Sequence, residues 1–282
     1  MFKAEPFKTT AYSKWILTGE HAVLRGAPAL LFPNKKYALT LQYTYADRPL
    51  ALAVEGEQAA TCRLLFWGLL KEVELHLQKA LDCRGNLRLS CDIPIGMGLG
   101  FSAALCSALT QWLIHISVLQ AEELLTFATH LEHCFHGKSS GADVAVSTHG
   151  YPLCYQDGTC SPLDLKWKPH WYLSKVAESA VTTHCVQQVA KLHENNPSLA
   201  LSVDGQMAES SRMALASLQE TDQVKAVTLL TDAIEKAAFC FEQWQLISPL
   251  LQQHIVQLKS EGALAVKPTG AGLGGFVLSL WA

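Results

Sequence analysis

A loop with three alternating glycines constrains this chain more than any other feature of its sequence. The segment PIGMGLGFSAA, residues 94–104, follows a strand-like stretch and precedes a strongly apolar helical pattern. Glycines let the backbone approach an anion closely, and a helix start offers N–H groups and the positive end of a dipole. The sequence therefore predicts a phosphate-binding loop. Ser102 lies at the helix start, where a hydroxyl can cap the helix, contact phosphate or bind Mg²⁺.

Two other glycine-loop motifs fit this segment less well. A P-loop needs a lysine directly after its last glycine, and Phe101 follows Gly100. A dinucleotide-binding fingerprint is present in form, as Gly98-x-Gly100-x-x-Ala103, but it requires a following strand that ends in an acidic residue. Here a second helical pattern follows instead. The remaining alternative is a glycine turn that binds no ligand.

Composition excludes several classes of protein. The chain has 282 residues, 49% hydrophobic and 17% charged, which is enough apolar material for a packed core. The net charge is −3, so the chain lacks the excess of basic residues that is typical of nucleic-acid-binding proteins. Its longest apolar runs are too short to span a membrane. The nine cysteines form no CxxC pair, which favours reduced thiols in a cytoplasmic protein.

Hydrophobic periodicity indicates a mixed α and β chain with a more helical second half. Alternating patterns predict strands over residues 37–45 and 87–92, and two short strands flank a glycine loop near the end of the chain. A break in the pattern near residues 155–168 suggests a domain boundary. Helical patterns cover residues 64–81, 102–118, 121–136, 207–218, 223–241 and 247–260.

One carboxylate falls on the apolar side of a predicted helix. Within residues 121–136, Glu132 lies among apolar positions, and a buried carboxylate is costly unless a cation balances it. The cation could be a metal ion or a lysine, and a purely structural salt bridge is the alternative. His130 and His133 lie on the polar side, which indicates solvated side chains rather than metal ligands.

Polar residues occur beside glycines at three further places. Asp143 ends the segment HGKSSGAD and is expected in a polar turn, where aspartate is usually only a cap. Lys14 begins a strand that ends in a glycine turn carrying Glu20 and His21. The segment KPTGAGLGG, residues 267–275, suits close approach to a ligand or to the first glycine loop, or a simple hairpin.

Taken together, four segments resemble the motifs of the GHMP kinase superfamily, most closely those of its mevalonate kinase members. They are GEHAVLRGAPAL (19–30), PIGMGLGFSAA (94–104), SSGADVAVSTHG (139–150) and KPTGAGLGG (267–275). The resemblance implies an α+β fold of two domains. Residues 1–160 would form a ribosomal S5 domain 2-like N-terminal domain, and residues 161–282 a ferredoxin-like C-terminal domain.

The resemblance also implies a reaction. A kinase of this kind uses ATP and Mg²⁺ to phosphorylate the primary hydroxyl of mevalonate, giving 5-phosphomevalonate. The alternatives are another GHMP kinase that acts on phosphomevalonate, a sugar or homoserine, and a non-catalytic nucleotide-binding paralogue. The expected partner is a small molecule, without nucleic acid or membrane. A homodimer is compatible with the resemblance.

Site residues follow from the same resemblance, position by position. Asp143 and Lys14 correspond to the catalytic pair, and Ser102 and Glu132 to the residues that hold Mg²⁺. The nucleotide-binding positions are Gly96, Gly98, Leu99, Gly100, Phe101, Ser102 and Ala103. The substrate-binding positions are Glu20, His21, Thr183, Gly270 and Ala271.

Overall fold

A computed structural model describes residues 5–177 and 182–282 of the chain. It contains two compact units that alternate along the sequence, because the strands at residues 7–18 and 29–49 each pass from one unit into the other. The first unit consists of Met1–Lys14, Pro33–Ile95 and Gly100–Gly150. The second consists of Trp15–Phe32, Gly96–Leu99 and Tyr151–Ala282.

Strands and helices alternate in the first half, and helices dominate the second. The strands of the described residues are β1 (Phe7–Thr18), β2 (Ala29–Pro49), β3 (Ala51–Glu55), β4 (Arg84–Cys91), β5 (Leu153–Gln156), β6 (Thr159–Pro162), β7 (His170–Lys175), β8 (Ala265–Thr269) and β9 (Phe276–Trp281). The helices are α1 (Ala59–His76), α2 (Phe101–His115), α3 (Leu124–His136), α4 (Ala142–His149), α5 (Thr182–Asn195), α6 (Pro197–Gln219), α7 (Gln223–Gln243) and α8 (Pro249–Ser260).

The first unit packs helices against a sheet. Strand β4 pairs in antiparallel fashion with β2 and in parallel with β3, and α1 connects β3 to β4. Helix α2 lies at the centre and packs against both α3 and α4, with nearly all of its side chains buried. This packing therefore fixes the position of its first turn, which follows the glycine loop.

The second unit contains an antiparallel sheet in the order β7-β9-β8, with helices α5 to α8. One of its apolar clusters packs residues of β1 and β2, such as Trp15 and Phe32, against α6, α7 and the sheet. A second cluster joins α5, α6 and α7 around Phe241 and Trp244. In this second cluster, the rings of Phe241 and Trp244 also pack against the ring of His21.

Several sequence-based predictions are confirmed, and others need correction. The strands within 37–45 and 87–92 and the two C-terminal strands are present. Helix α1 covers Ala59–His76 rather than residues 64–81. It ends early because Gln78, just beyond it, has a left-handed backbone. Helix α6 begins ten residues earlier than residue 207, at Pro197, where the Asn196 side chain accepts a hydrogen bond from the first turn. Helix α5 was not predicted.

The mixed α+β fold class is confirmed by the similarities reported below. The contiguous division at residue 160 stays a prediction, and the compact units found here are interleaved instead. All nine cysteines are free thiols. Among the helices that the structure describes, none is both long and apolar enough to cross a membrane.

Candidate active site

The glycine loop adopts the backbone conformation that its sequence predicts. Gly96, Gly98 and Gly100 have φ angles of 76°, 74° and 77°, a region that favours glycine over all other residues. Gly100 directly precedes α2. A Cβ atom on Gly100 would lie 2.8 Å from the Lys14 Cγ atom, so the helix start and this lysine are in close contact.

The residues flanking these glycines can reach a nucleotide only through their backbone. The side chains of Leu99, Phe101 and Ala103 are buried. Their predicted role in nucleotide binding therefore reduces to their amide groups, which is how helix starts bind phosphate. Ser102 is also mostly buried, and its hydroxyl reaches Glu132.

The C-terminal glycine loop approaches the first one, within the second unit. A Cβ atom on Gly270 would lie 3.2 Å from the Gly98 carbonyl oxygen, and one on Gly275 would lie 2.8 Å from the Met97 carbonyl oxygen. Strands β8 and β9, which flank this loop, pair in antiparallel fashion. The segment is thus both a hairpin and a close neighbour of the first glycine loop, two of the three expectations from the sequence.

Asp143 lies in a helix rather than in the polar turn expected from the sequence. It occupies the first turn of α4, directly after Gly141 and Ala142. The hydroxyls of Ser139 and Ser140 accept hydrogen bonds from the Gly141 and Ala142 N–H groups and so satisfy the helix start. The Lys14 ammonium lies 2.9 Å from the Asp143 carboxylate, and Asp143 remains 30% exposed.

Glu132 adds a second carboxylate to this pair. It is only 1% exposed, which confirms its predicted place on the apolar side of α3. Its carboxylate accepts hydrogen bonds from the Ser139 and Ser102 hydroxyls. Burial, and then the charge of Asp143, raise the Glu132 pKa to about 8, while Lys14 acts in the opposite direction. The structure therefore brings together the four residues Lys14, Ser102, Glu132 and Asp143.

The donor chemistry of this cluster fits a small divalent cation. Two carboxylates face a single ammonium group, and the polar atoms of Glu132, Asp143 and Ser102 are all oxygens, which Mg²⁺ prefers. No group of three or more His, Cys, Asp or Glu side chains suited to a metal is present among residues 5–177 and 182–282. A cation here would therefore share its remaining coordination with phosphate oxygens and water, as Mg²⁺ commonly does.

The second unit contains a different, fully buried ion pair. The Lys267 ammonium contacts the Glu20 carboxylate, and the two side chains are 0% and 1% exposed. The Lys267 ammonium also lies 5.3 Å from the centroid of the Phe241 ring. Sequence reasoning singled out the segment containing Lys267 but not this partnership with Glu20, a residue 247 positions away.

His21 lies beside this pair in a well-defined environment. Its Nε2 atom is 2.9 Å from the carbonyl oxygen of Ala271, and its ring packs against the rings of Phe241 and Trp244. Burial lowers the His21 pKa to about 4, so the ring is neutral at neutral pH. Its φ angle of 56° is unusual for a residue other than glycine and is typical of functional sites.

The other residues predicted to bind substrate lie in two places, the loop beside His21 and helix α5. Gly270 and Ala271 lie in the loop that His21 contacts. Thr183 lies in the first turn of α5, a helix whose Cys185 thiol reaches the Gly272 carbonyl oxygen of the same loop.

Of the two histidines assigned to the solvated face of α3, His133 is exposed, and His130 is half-buried beside His76.

Comparison with known proteins shows which sequences this chain is similar to. The family model described as the GHMP kinases N terminal domain matches residues 65–151. The mevalonate kinase of Aeropyrum pernix is 27% identical over an alignment that covers 97% of this chain and 88% of the relative. That of Arabidopsis thaliana is also 27% identical, with coverages of 97% and 90%.

Solved structures show the same fold. The crystal structure of L. major mevalonate kinase in complex with R-mevalonate superimposes with a TM-score of 0.78 at 23% identity, covering all of this chain and 90% of that one. Streptococcus pneumoniae phosphomevalonate kinase in complex with phosphomevalonate and AMPPNP gives a TM-score of 0.72 at 17% identity, with coverages of 98% and 92%. At these identities the similarities establish the fold rather than the substrate.

Residues 65–151 are similar to the GHMP kinases N terminal domain, and the whole chain is similar to curated mevalonate kinases. Its curated relatives are mevalonate kinases, and the expected class of enzyme, a phosphotransferase with an alcohol acceptor, is confirmed.

Proposed function

We propose that this protein is an ATP- and Mg²⁺-dependent kinase that transfers a phosphoryl group to the primary hydroxyl of mevalonate, giving 5-phosphomevalonate. The observation that carries the proposal is the cluster of Lys14, Ser102, Glu132 and Asp143 beside the start of α2. Phosphoryl transfer depends mainly on positioning and on neutralising charge, and this cluster supplies groups for both.

Each residue of the cluster has a distinct proposed role. Asp143 accepts a hydrogen bond from the acceptor hydroxyl and orients it, while the Lys14 ammonium balances negative charge as the new bond forms. Glu132 and Ser102 hold Mg²⁺, which when bound neutralises phosphate charge. The amide groups at residues 98–103 bind the nucleotide phosphates. Asp143 and Lys14 are thus the catalytic pair.

Charge balance in the second unit favours mevalonate over a phosphorylated acceptor. We assign Glu20, His21, Thr183, Gly270 and Ala271 to acceptor binding. Here the charge of Lys267 is matched by Glu20, that of Arg25 by Asp204, and His21 is neutral. Both acceptors carry a carboxylate, but phosphomevalonate has a doubly charged phosphate monoester where mevalonate has a neutral hydroxyl, so it needs more positive charge from its site. These residues therefore supply no excess positive charge for phosphomevalonate.

An ADP-release assay tests the acceptor. Mevalonate, phosphomevalonate, homoserine and galactose are supplied in turn with ATP and Mg²⁺. We expect kcat/KM for mevalonate to exceed the others by at least about a hundredfold, because the wrong acceptor leaves polar groups unpaired. Equal turnover of phosphomevalonate would contradict the mevalonate assignment. ATP binding without turnover of any acceptor would instead support a non-catalytic paralogue.

A further inference from the structure

Lys267 is a buried lysine for which the proposed reaction has no direct role. Its side chain is fully buried in β8, and its ammonium group contacts the Glu20 carboxylate. It also lies 3.5 Å from the Ile16 carbonyl oxygen, which can accept a further hydrogen bond. Replacing a buried ion pair with apolar side chains is often neutral or stabilising, so stability alone does not explain why a charge lies here.

Two side chains of β8, those of Lys267 and Thr269, contact one short segment, residues 16–20. The Thr269 hydroxyl donates to the Ile16 carbonyl oxygen and accepts from the Ile16 N–H, both at 2.9 Å. Lys267 reaches the Ile16 carbonyl oxygen within β1 and the Glu20 side chain just after its end. Strand β8 therefore holds both the backbone near the end of β1 and the acidic side chain that follows it.

The turn at residues 19–21, at the end of this segment, has a backbone that few residues can adopt. A Cβ atom on Gly19 would lie 2.4 Å from the Ala29 Cα atom, so only glycine fits there. His21, two residues on, has a positive φ angle. Because such a backbone persists only when its surroundings hold it, the anchor on Glu20 bears directly on where the His21 ring points.

The geometry of the His21 ring determines which nitrogen carries its proton. A carbonyl oxygen only accepts hydrogen bonds, so Nε2 must donate to Ala271. In a neutral ring the other nitrogen, Nδ1, is then an acceptor. The charged groups that act on this ring are Arg25, Lys267 and Asp204. The two cations oppose protonation of His21, and Asp204 favours it.

We propose that Lys267 is a positioning residue for the acceptor: its ammonium group holds Glu20 and the turn at residues 19–21, and so presents the His21 Nδ1 atom as a hydrogen-bond acceptor for a substrate hydroxyl. This inference rests on the proposed kinase function. It adds a determinant of acceptor binding that lies outside the residues assigned to contact the substrate, and it explains why the buried charge is present.

The kinetic test compares Lys267→Met with a matched surface control. Lys259→Met removes an exposed lysine that pairs with Glu235 in the same unit. We expect Lys267→Met to raise the KM for mevalonate about tenfold, the value of one lost hydrogen bond, while the KM for ATP changes less than about twofold. Lys259→Met should change neither. An unchanged KM for mevalonate in a folded Lys267→Met protein would overturn the proposal.

Nitrogen NMR of isotope-labelled histidine supplies a readout that needs no activity. In the wild-type protein the His21 ring should show the neutral form protonated at Nε2, with its signal identified by its loss in His21→Gln. In Lys267→Met we expect a mixture of tautomers or a ring that titrates closer to pH 6.5, its ordinary value. A His21 spectrum identical to that of the wild type would overturn the positioning role.

A second variant keeps the test decisive if Lys267→Met does not fold. The double variant Glu20→Gln, Lys267→Met leaves no unpaired buried charge and should fold. Its His21 signal should still lose the single Nε2-protonated form, and retention of that form would overturn the proposal. If the wild type shows the expected tautomer but phosphorylates no acceptor, the proposed function fails while the anchoring of His21 by Lys267 stands.

Discussion

Each unit of the molecule buries a lysine against a carboxylate, and the two pairs differ in their surroundings. In the second unit Lys267 and Glu20 are completely enclosed, with one charge of each sign. In the first unit Lys14 is buried, but its partner Asp143 is 30% exposed, and a second carboxylate, Glu132, lies beside it. One pair is balanced and closed, whereas the other has an open side and lies beside a second carboxyl group that needs a proton or a cation.

This difference separates a site that holds its own structure from one that can receive a ligand. A buried pair with one charge of each sign is not stabilised by an additional ion. Removing either partner is destabilising, because it leaves the other charge buried and unpaired. A cluster of two carboxylates and one ammonium group is satisfied only when a further cation or a proton arrives, which is what the raised Glu132 pKa expresses. In the proposed function, the first cluster therefore takes part in the chemistry, and the second pair holds the acceptor site in position.

The largest expected effect is on catalysis in the first cluster. Asp143→Asn keeps the side-chain shape but removes the charge that orients the acceptor hydroxyl, so kcat should fall on the order of a thousandfold. ATP binding, measured by calorimetry, should change little. Asp164→Asn is the control, since Asp164 is an exposed residue paired with Lys166. A kcat within about tenfold of wild type would remove Asp143 from the catalytic role.

The second prediction contrasts the two lysines in stability rather than activity. Lys267→Met leaves Glu20 buried without its ammonium partner and should lower the free energy of unfolding by about 3–5 kcal/mol. Lys14→Met leaves Asp143 in contact with solvent and should cost about 1 kcal/mol. Urea unfolding monitored by circular dichroism measures both. Equal losses would mean that the two pairs do not differ as their exposure indicates.

Local sequence patterns predicted much of the first cluster. The glycine loop and the helix after it are readable because alternating glycines and an apolar helical pattern are local signals. Glu132 could be picked out from helical periodicity alone, and it is buried as expected. Asp143 was expected in a turn because it follows two glycines, Gly137 and Gly141, in a polar segment. The structure begins α4 directly after Gly141, and this short helix packs against α2.

Long-range pairing was not predictable from the sequence. Lys267 and Glu20 are separated by 247 positions, and neither has a local pattern that names the other. The interleaving of the two compact units was not predictable either, since a strand that passes from one unit to another shows no change of composition. Helix α6 could have been traced to its true start, because an asparagine followed by a proline is a recognised helix-start signal.

The third prediction concerns acid stability in the second unit. The native His21 pKa is about 4, below the 6.5 of an unfolded chain, so the unfolded state binds the proton first as the pH falls. The contribution of His21 is therefore present above pH 6.5 and is lost toward pH 4. Between about pH 7 and about pH 4.5 the wild type should lose roughly 2 kcal/mol relative to His21→Gln. Parallel pH profiles of unfolding for the two proteins would contradict the neutral, buried ring.

The smallest expected effect concerns the proton on Glu132. Because burial and Asp143 raise its pKa to about 8, the carboxyl group of the cation-free protein is largely protonated at neutral pH, and binding of Mg²⁺ with nucleotide should release that proton. Calorimetry in two buffers of different ionisation enthalpy measures the release. Glu132→Gln should abolish it and raise the half-saturating Mg²⁺ concentration about tenfold, whereas Glu55→Gln, at an exposed carboxylate, should do neither. Proton release that persists in Glu132→Gln would place the excess charge elsewhere and return Glu132 to a structural salt bridge, which would leave the two buried pairs alike.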